Sequence, residues 1–169
     1  MLPDILNCKE FVNADEIARG LSPFQPDRVS LQAGRLMLTR IKTLLAARED
    51  FALETTLATK SYVSLVRQAQ QKGYRVSLLF FWLNSVALAI ERVSLRVQEG
   101  GHNIPEAVIR RRYEGGLRNF FRLYQLLVNS WMLVDNSGQS YRVIAEGAEE
   151  ETSIVNQDIW KTLNNTYDE

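Results

Sequence analysis

Between Phe51 and Leu83 the chain runs from a short apolar stretch through a segment of helical spacing to a second apolar stretch. That order constrains the fold more than any other feature. Phe51-Ala52-Leu53 reads as a buried strand whose carboxyl end delivers the polar Glu54-Thr55-Thr56. Tyr62, Leu65, Val66 and Ala69 then recur at helical spacing, and Gly73 supplies a stop because glycine tolerates a left-handed backbone. Tyr74 to Leu83 is almost continuously apolar, which places it as a strand in the centre of its sheet. Strand, helix and strand in that order form a crossover unit, which joins parallel strands and covers them with helices. The expected class is α/β.

The flanking segments fit the same class. Glu10-Phe11-Val12-Asn13 reads as the end of a strand, with a helical turn starting at Ala14-Asp15-Glu16. After the turn Ser22 to Asp27, Pro26 leads a helix to about Arg48, with Val29, Ala33, Leu36, Met37, Ile41, Leu44 and Leu45 on one stripe. Val86 to Glu99 is a further helix closed by Gly100-Gly101, and Ile104-Pro105-Glu106 opens a long one that Gly115-Gly116 is expected to bend. Its stripe is Ile109, Tyr113, Phe120, Tyr124 and Leu127, with Arg111, Arg118 and Arg122 opposite. Ser130 to Asp135 and Tyr141 to Ala145 read as strands, and a last helix lies near Ile154 to Leu163. The 169 residues are expected to form a single domain, 1–169, with an acidic extension over 148–169.

Charge and composition remove several function classes. Twenty Lys plus Arg balance twenty Asp plus Glu, so no global field favours nucleic acid or an anionic membrane. The arginine-rich segment lacks the lysines and exposed aromatic platforms of a single-strand binder. One cysteine, Cys8, cannot form an internal disulfide, and with one histidine the chain has no zinc site of its own, so the expected compartment is the cytoplasm. The longest apolar stretch, Val76 to Leu83, falls far short of the roughly 20 residues that span a bilayer.

In parallel sheets, ligands gather at the carboxyl ends of the strands, where helix N-termini present unpaired amides. Asn13 and Asp15 stand at the first such end, Glu54, Thr55 and Thr56 at the second, and an arginine-rich helix pair follows the third strand. Carboxylates at strand ends beside an arginine-bearing segment suit phosphoryl transfer to a hydroxyl. Each residue also has a purely structural use: Asp15 as a helix cap, Glu54 as a hydrogen-bonded strand end, Thr55 and Thr56 as turn residues, the arginines as surface charge. Gly100 to Pro105, carrying His102 between two arginine-rich helices, is placed where a hinged lid would close.

Phe11 to Phe24, Ala33 to Leu38, Asp50 to Leu57, Gly100 to Glu106 and Arg110 to Tyr113, in that order, resemble the zeta-toxin family of P-loop kinases, over about residues 10–147. The resemblance implies a parallel-sheet, three-layer sandwich of the P-loop kinase kind. It implies ATP with Mg as cofactor, a UDP-activated amino sugar as acceptor, and an antitoxin as a possible partner. By motif position Asp15 corresponds to the family's base for the acceptor hydroxyl. Asn13, Glu54 and Thr56 fall where substrate binds, and Arg96, Arg111, Arg112 and His102 fall in or beside the lid.

The sequence departs from the family in one place. No G-x-x-x-x-G-K-[ST] loop occurs in it, and that loop cradles phosphates with glycine amides, a lysine and a hydroxyl. The chain is therefore expected to be an N-terminally truncated form of the domain that binds ATP poorly. Its activity is then impaired, or it serves as a non-catalytic module that binds a protein, for instance a polypeptide that complements the missing strand.

Overall fold

A computed structural model describes residues 8–99, 101, 103–149 and 151–168. The chain divides after Thr55 into two compact units.

The first unit holds strand β1 (Glu10–Val12), helix α1 (Ala14–Leu21), a 3-10 turn (Pro26–Val29), helix α2 (Ser30–Ala47) and strand β2 (Phe51–Leu53). The strands pair in parallel, with Glu10 opposite Phe51, Phe11 opposite Ala52 and Val12 opposite Leu53. Helix α2 buries Ala33, Met37, Ile41, Leu44 and Leu45, most of the stripe read from its spacing. Leu36 departs from that stripe and is exposed. The helix ends without glycine: Arg48 takes the left-handed conformation (φ 59°, ψ 33°) and its N–H bonds to the Leu44 carbonyl.

The second unit holds α3 (Val63–Gln71), β3 (Ser77–Trp82), α4 (Val86–Gln98), α5 (Glu106–Asn119), a π-helical segment (Phe120–Tyr124), β4 (Ser130–Asp135), β5 (Arg142–Ala148), β6 (Glu151–Ile154) and α6 (Gln157–Tyr167). Its sheet has the order β3-β4-β5-β6. The first pair is parallel and the other two antiparallel. The crossover read between Phe51 and Leu83 thus resolves differently: β2 pairs with β1 and β3 with β4, so the parallel geometry appears in two separate pairs. β3 lies at an end of its four-stranded sheet rather than in the middle, and Ser77 and Phe81 are exposed accordingly.

The core of this unit is aromatic. Phe120, Phe121, Tyr124, Leu117, Leu133 and Ile144 are fully buried. Trp131 and Trp160 stack at 5.5 Å, and Trp160 also meets Phe121, which fastens α6 to the sheet. α5 runs without interruption through Gly115-Gly116, where the sequence suggests a bend. Both glycines permit close approach. A Cβ on Gly116 would lie 2.7 Å from the Thr56 carbonyl oxygen, and one on Gly115 would lie 3.3 Å from that of Ala58. The irregularity comes one turn later, where the Gln125 N–H reaches back five residues to the Phe120 carbonyl. Phe120, Phe121 and Tyr124 of this segment are all buried in the core.

Candidate functional site

The parallel register of β1 and β2 sets the first group of residues. Val12 stands opposite Leu53, so the next residues, Asn13 and Glu54, leave the two strands side by side. Asn13 has extended backbone (φ −131°, ψ 123°) and caps α1, its Oδ1 accepting from the N–H of Asp15 at 2.8 Å and of Glu16 at 3.4 Å. Its Nδ2 donates to Glu54 Oε2 at 2.8 Å. One amide therefore caps the helix and fixes the carboxylate of the neighbouring strand.

Asp15 sits in the first turn of α1 with its side chain in solvent. The partial positive charge of the helix N-terminus favours carboxylates at this place, so Asp15 and Glu16 also have a structural reason to be there. Glu54 is exposed apart from its bond to Asn13. Thr56 opens the second unit, where its carbonyl packs against α5 at Gly116 and its side chain is exposed. The structure thus brings Asn13, Asp15 and Glu54 together.

The predicted lid arginines stand on the second unit. Arg96 is in the last turn of α4, and Arg111 and Arg112 are on α5; all three are exposed, and α4 packs against α5. Arg111 and Arg112 form no ion pair with another described residue, whereas Arg110 bonds through Nε to Glu106 at 2.9 Å. The Gly101 N–H donates to the Arg96 carbonyl at 2.8 Å, folding the start of the connecting loop back onto α4. His102 lies outside the described residues.

Sequence reasoning passed over a polar network at the carboxyl ends of β3 and β4. Ser137 N–H donates to Asp135 Oδ1 at 2.9 Å, Asn84 N–H donates to Ser137 Oγ at 2.8 Å, and Arg92 Nη2 donates to the Asn136 carbonyl at 2.6 Å. Tyr113 donates its hydroxyl to the Leu83 carbonyl at 2.7 Å. Burial pushes the Tyr113 phenol up, the neighbouring Trp82 indole pulls it back, and Glu114 adds to the rise. The Asp-Asn-Ser-Gly turn after β4 was the available signal, because aspartate side chains bind the backbone two residues on.

Among the described residues no group of three or more His, Cys, Asp or Glu side chains is placed to hold a metal ion. The sequence also contains no glycine-and-lysine phosphate loop. These residues lack the glycine amides, lysine and hydroxyl with which a P-loop holds a triphosphate and its magnesium.

Comparison with known proteins bears on the fold and the family. A structure from the PezAT chromosomal toxin-antitoxin system of Streptococcus pneumoniae matches with a TM-score of 0.64 over 95% of this chain and 68% of that one, at 12% identity. It shows a shared fold, and the mixed α/β class expected from the sequence is the class found. An uncharacterized protein of Haemophilus influenzae is 28% identical over 102 residues, 60% of this chain and 73% of that protein. The family model described as zeta toxin matches residues 13–149, from the helix-capping Asn13 through β5, and the chain belongs to the zeta-toxin family.

Proposed function

We propose that the chain carries the acceptor side of a kinase-like phosphoryl transfer to a hydroxyl. The observation that carries this reading is the Asn13–Glu54 hydrogen bond, which holds a carboxylate at a parallel strand end beside the helix turn that bears Asp15. In this reading Glu54 and Asn13 bind hydroxyl and amide groups of the acceptor, with Thr56 as a further contact. Asp15 takes the proton of the hydroxyl that becomes the nucleophile. By the family resemblance Arg96, Arg111, Arg112 and His102 are the residues in or beside the lid that contact phosphate. The acceptor class implied by the family resemblance is a UDP-activated amino sugar.

The test is calorimetric titration of the chain with a UDP-amino sugar. Binding is expected, with Glu54→Gln weakening it by about tenfold, or about 1.4 kcal/mol. Asp15→Asn should leave that affinity nearly unchanged, because its role is proton transfer. Absence of binding, or equal affinity in the wild type and Glu54→Gln, would remove this strand end from acceptor recognition.

A second reading, a non-catalytic module that binds a protein, is favoured by the lack of a phosphate loop in these residues. The matched fold comes from a toxin-antitoxin system, which is consistent with a protein partner. In either reading no described helix is long and apolar enough to cross a membrane.

A further inference from the structure

Helix α2 has two distinct faces. One, Ala33 to Leu45, is the buried stripe of the first unit. On the other, Leu31, Arg35, Leu38 and Lys42 follow one another at spacings of four, three and four residues, which sets them in a single ridge. Leu31 is 72% exposed and Leu38 52%. Phe24, 96% exposed, stands on the turn that leads into the helix. Single exposed leucines need no explanation. Two leucines one heptad apart, alternating with cations, have the spacing of a seam between helices.

The charges say what kind of helix. From Val29 to Arg48 the sequence contains no carboxylate. Arg40 is engaged by Glu10 at 2.6 Å, while Arg35 and Lys42 form no ion pair with another described residue. The helix dipole favours cations only in the last turn, so it gives no reason for Arg35, which sits near the start of α2. A second copy of the chain would bring the same cations against each other across a twofold axis, which charge repulsion opposes. A lipid surface calls for a broad apolar face, and this ridge offers two leucines.

We propose that the Leu31–Arg35–Leu38–Lys42 ridge docks an acidic amphipathic helix of a partner protein. Leucines of the partner would meet Leu31 and Leu38, and its flanking Glu or Asp side chains would meet Arg35 and Lys42. The ridge spans about 16 Å, so about three turns of the partner are covered. This surface is independent of the acceptor site proposed above.

The experiment is fluorescence anisotropy with the full chain and two labelled synthetic helical peptides. Both carry a leucine seam, flanked by glutamates in one and by lysines in the other, and phosphatidylserine vesicles form a third arm. The glutamate peptide is expected to bind, more weakly as salt rises. Its affinity should fall by about tenfold or more in both Arg35→Glu/Lys42→Glu and Leu31→Ser/Leu38→Ser. Thermal unfolding of these variants should match the wild type, since the side chains are exposed. Equal binding of the lysine peptide, unchanged binding by both variants, binding of vesicles alone, or no binding in any arm would overturn the proposal.

Discussion

Asn13 and Glu54 are 41 residues apart in sequence and are joined by a 2.8 Å hydrogen bond that ties the start of α1 to the end of β2. Removing the Asn13 side chain removes the helix cap and the tie together. Asn13→Ala is expected to lower stability by about 1–2 kcal/mol in urea unfolding. Asn13→Asp keeps a capping oxygen but sets a second carboxylate against Glu54. It should be less stable than wild type by an amount that shrinks with added salt.

The glycines of the helices should respond in opposite directions. Gly116→Ala places a methyl 2.7 Å from the Thr56 carbonyl oxygen, and overpacking of this kind costs about 1–3 kcal/mol. At Gly34, inside α2, nothing lies within 4 Å of the added carbon, so Gly34→Ala should gain about 0.5–1 kcal/mol from backbone entropy. Chemical denaturation of the two variants separates these effects.

Asn119 is buried and donates Nδ2 to the Leu57 carbonyl at 2.8 Å, holding the segment after β2 where Leu57 itself has a left-handed backbone (φ 56°). Asn119→Leu withdraws that donor from a buried carbonyl, a loss of about 1–3 kcal/mol. Proteolysis between Thr56 and Thr59 should become faster in the variant.

Burial pushes the Tyr167 phenol up to about 12, with Glu114 acting in the same direction and Arg118 against it. Burial also raises Tyr113 and Tyr124. A folded-state pKa above the ordinary 10.0 means that the folded chain keeps a proton the unfolded chain releases. The stabilisation is complete below pH 10 and is lost as pH rises through about 12. Stability should therefore fall along that limb, and Tyr167→Phe should flatten it, as read by circular dichroism against pH.

Mg-ATP is expected to leave the unfolding midpoint of this chain unmoved, because the sequence has no phosphate loop. A nucleotide present at 100 times its dissociation constant would add about 2.7 kcal/mol, which for a chain of this size is a rise of roughly 5–11 °C. A shift of that size would mean that the second unit or the strand ends bind phosphate by another route.

The sequence was most legible where one face of an element is buried. The stripe of α2 and that of α5 are read from period alone, and Asn13, Asp15 and Glu54 could be placed at strand ends. What stayed hidden was pairing between distant segments. Nothing local sets Asn13 against Glu54, since that follows from the β1–β2 register. β6 was missed because Glu151-Thr152-Ser153 is polar and exposed, giving no alternation to read. The last helix was expected from Ile154, whereas Ile154 ends that strand and Asn156 caps the helix through the Ile159 N–H. Gly115-Gly116 has the same letters whether a helix bends or a neighbouring carbonyl presses close, and only the packing distinguishes them.

The π-helical segment sets which deletion the chain can absorb. Tyr124 ends the wide turn and donates its hydroxyl to the Thr59 carbonyl at 2.8 Å. An i to i+5 turn holds one residue more than an i to i+4 turn, so removing one residue from Phe120 to Tyr124 would restore an ordinary α turn while the chain after it keeps its phase. What is lost is one side chain of the segment, and the variant that loses Tyr124 also loses the bond to Thr59.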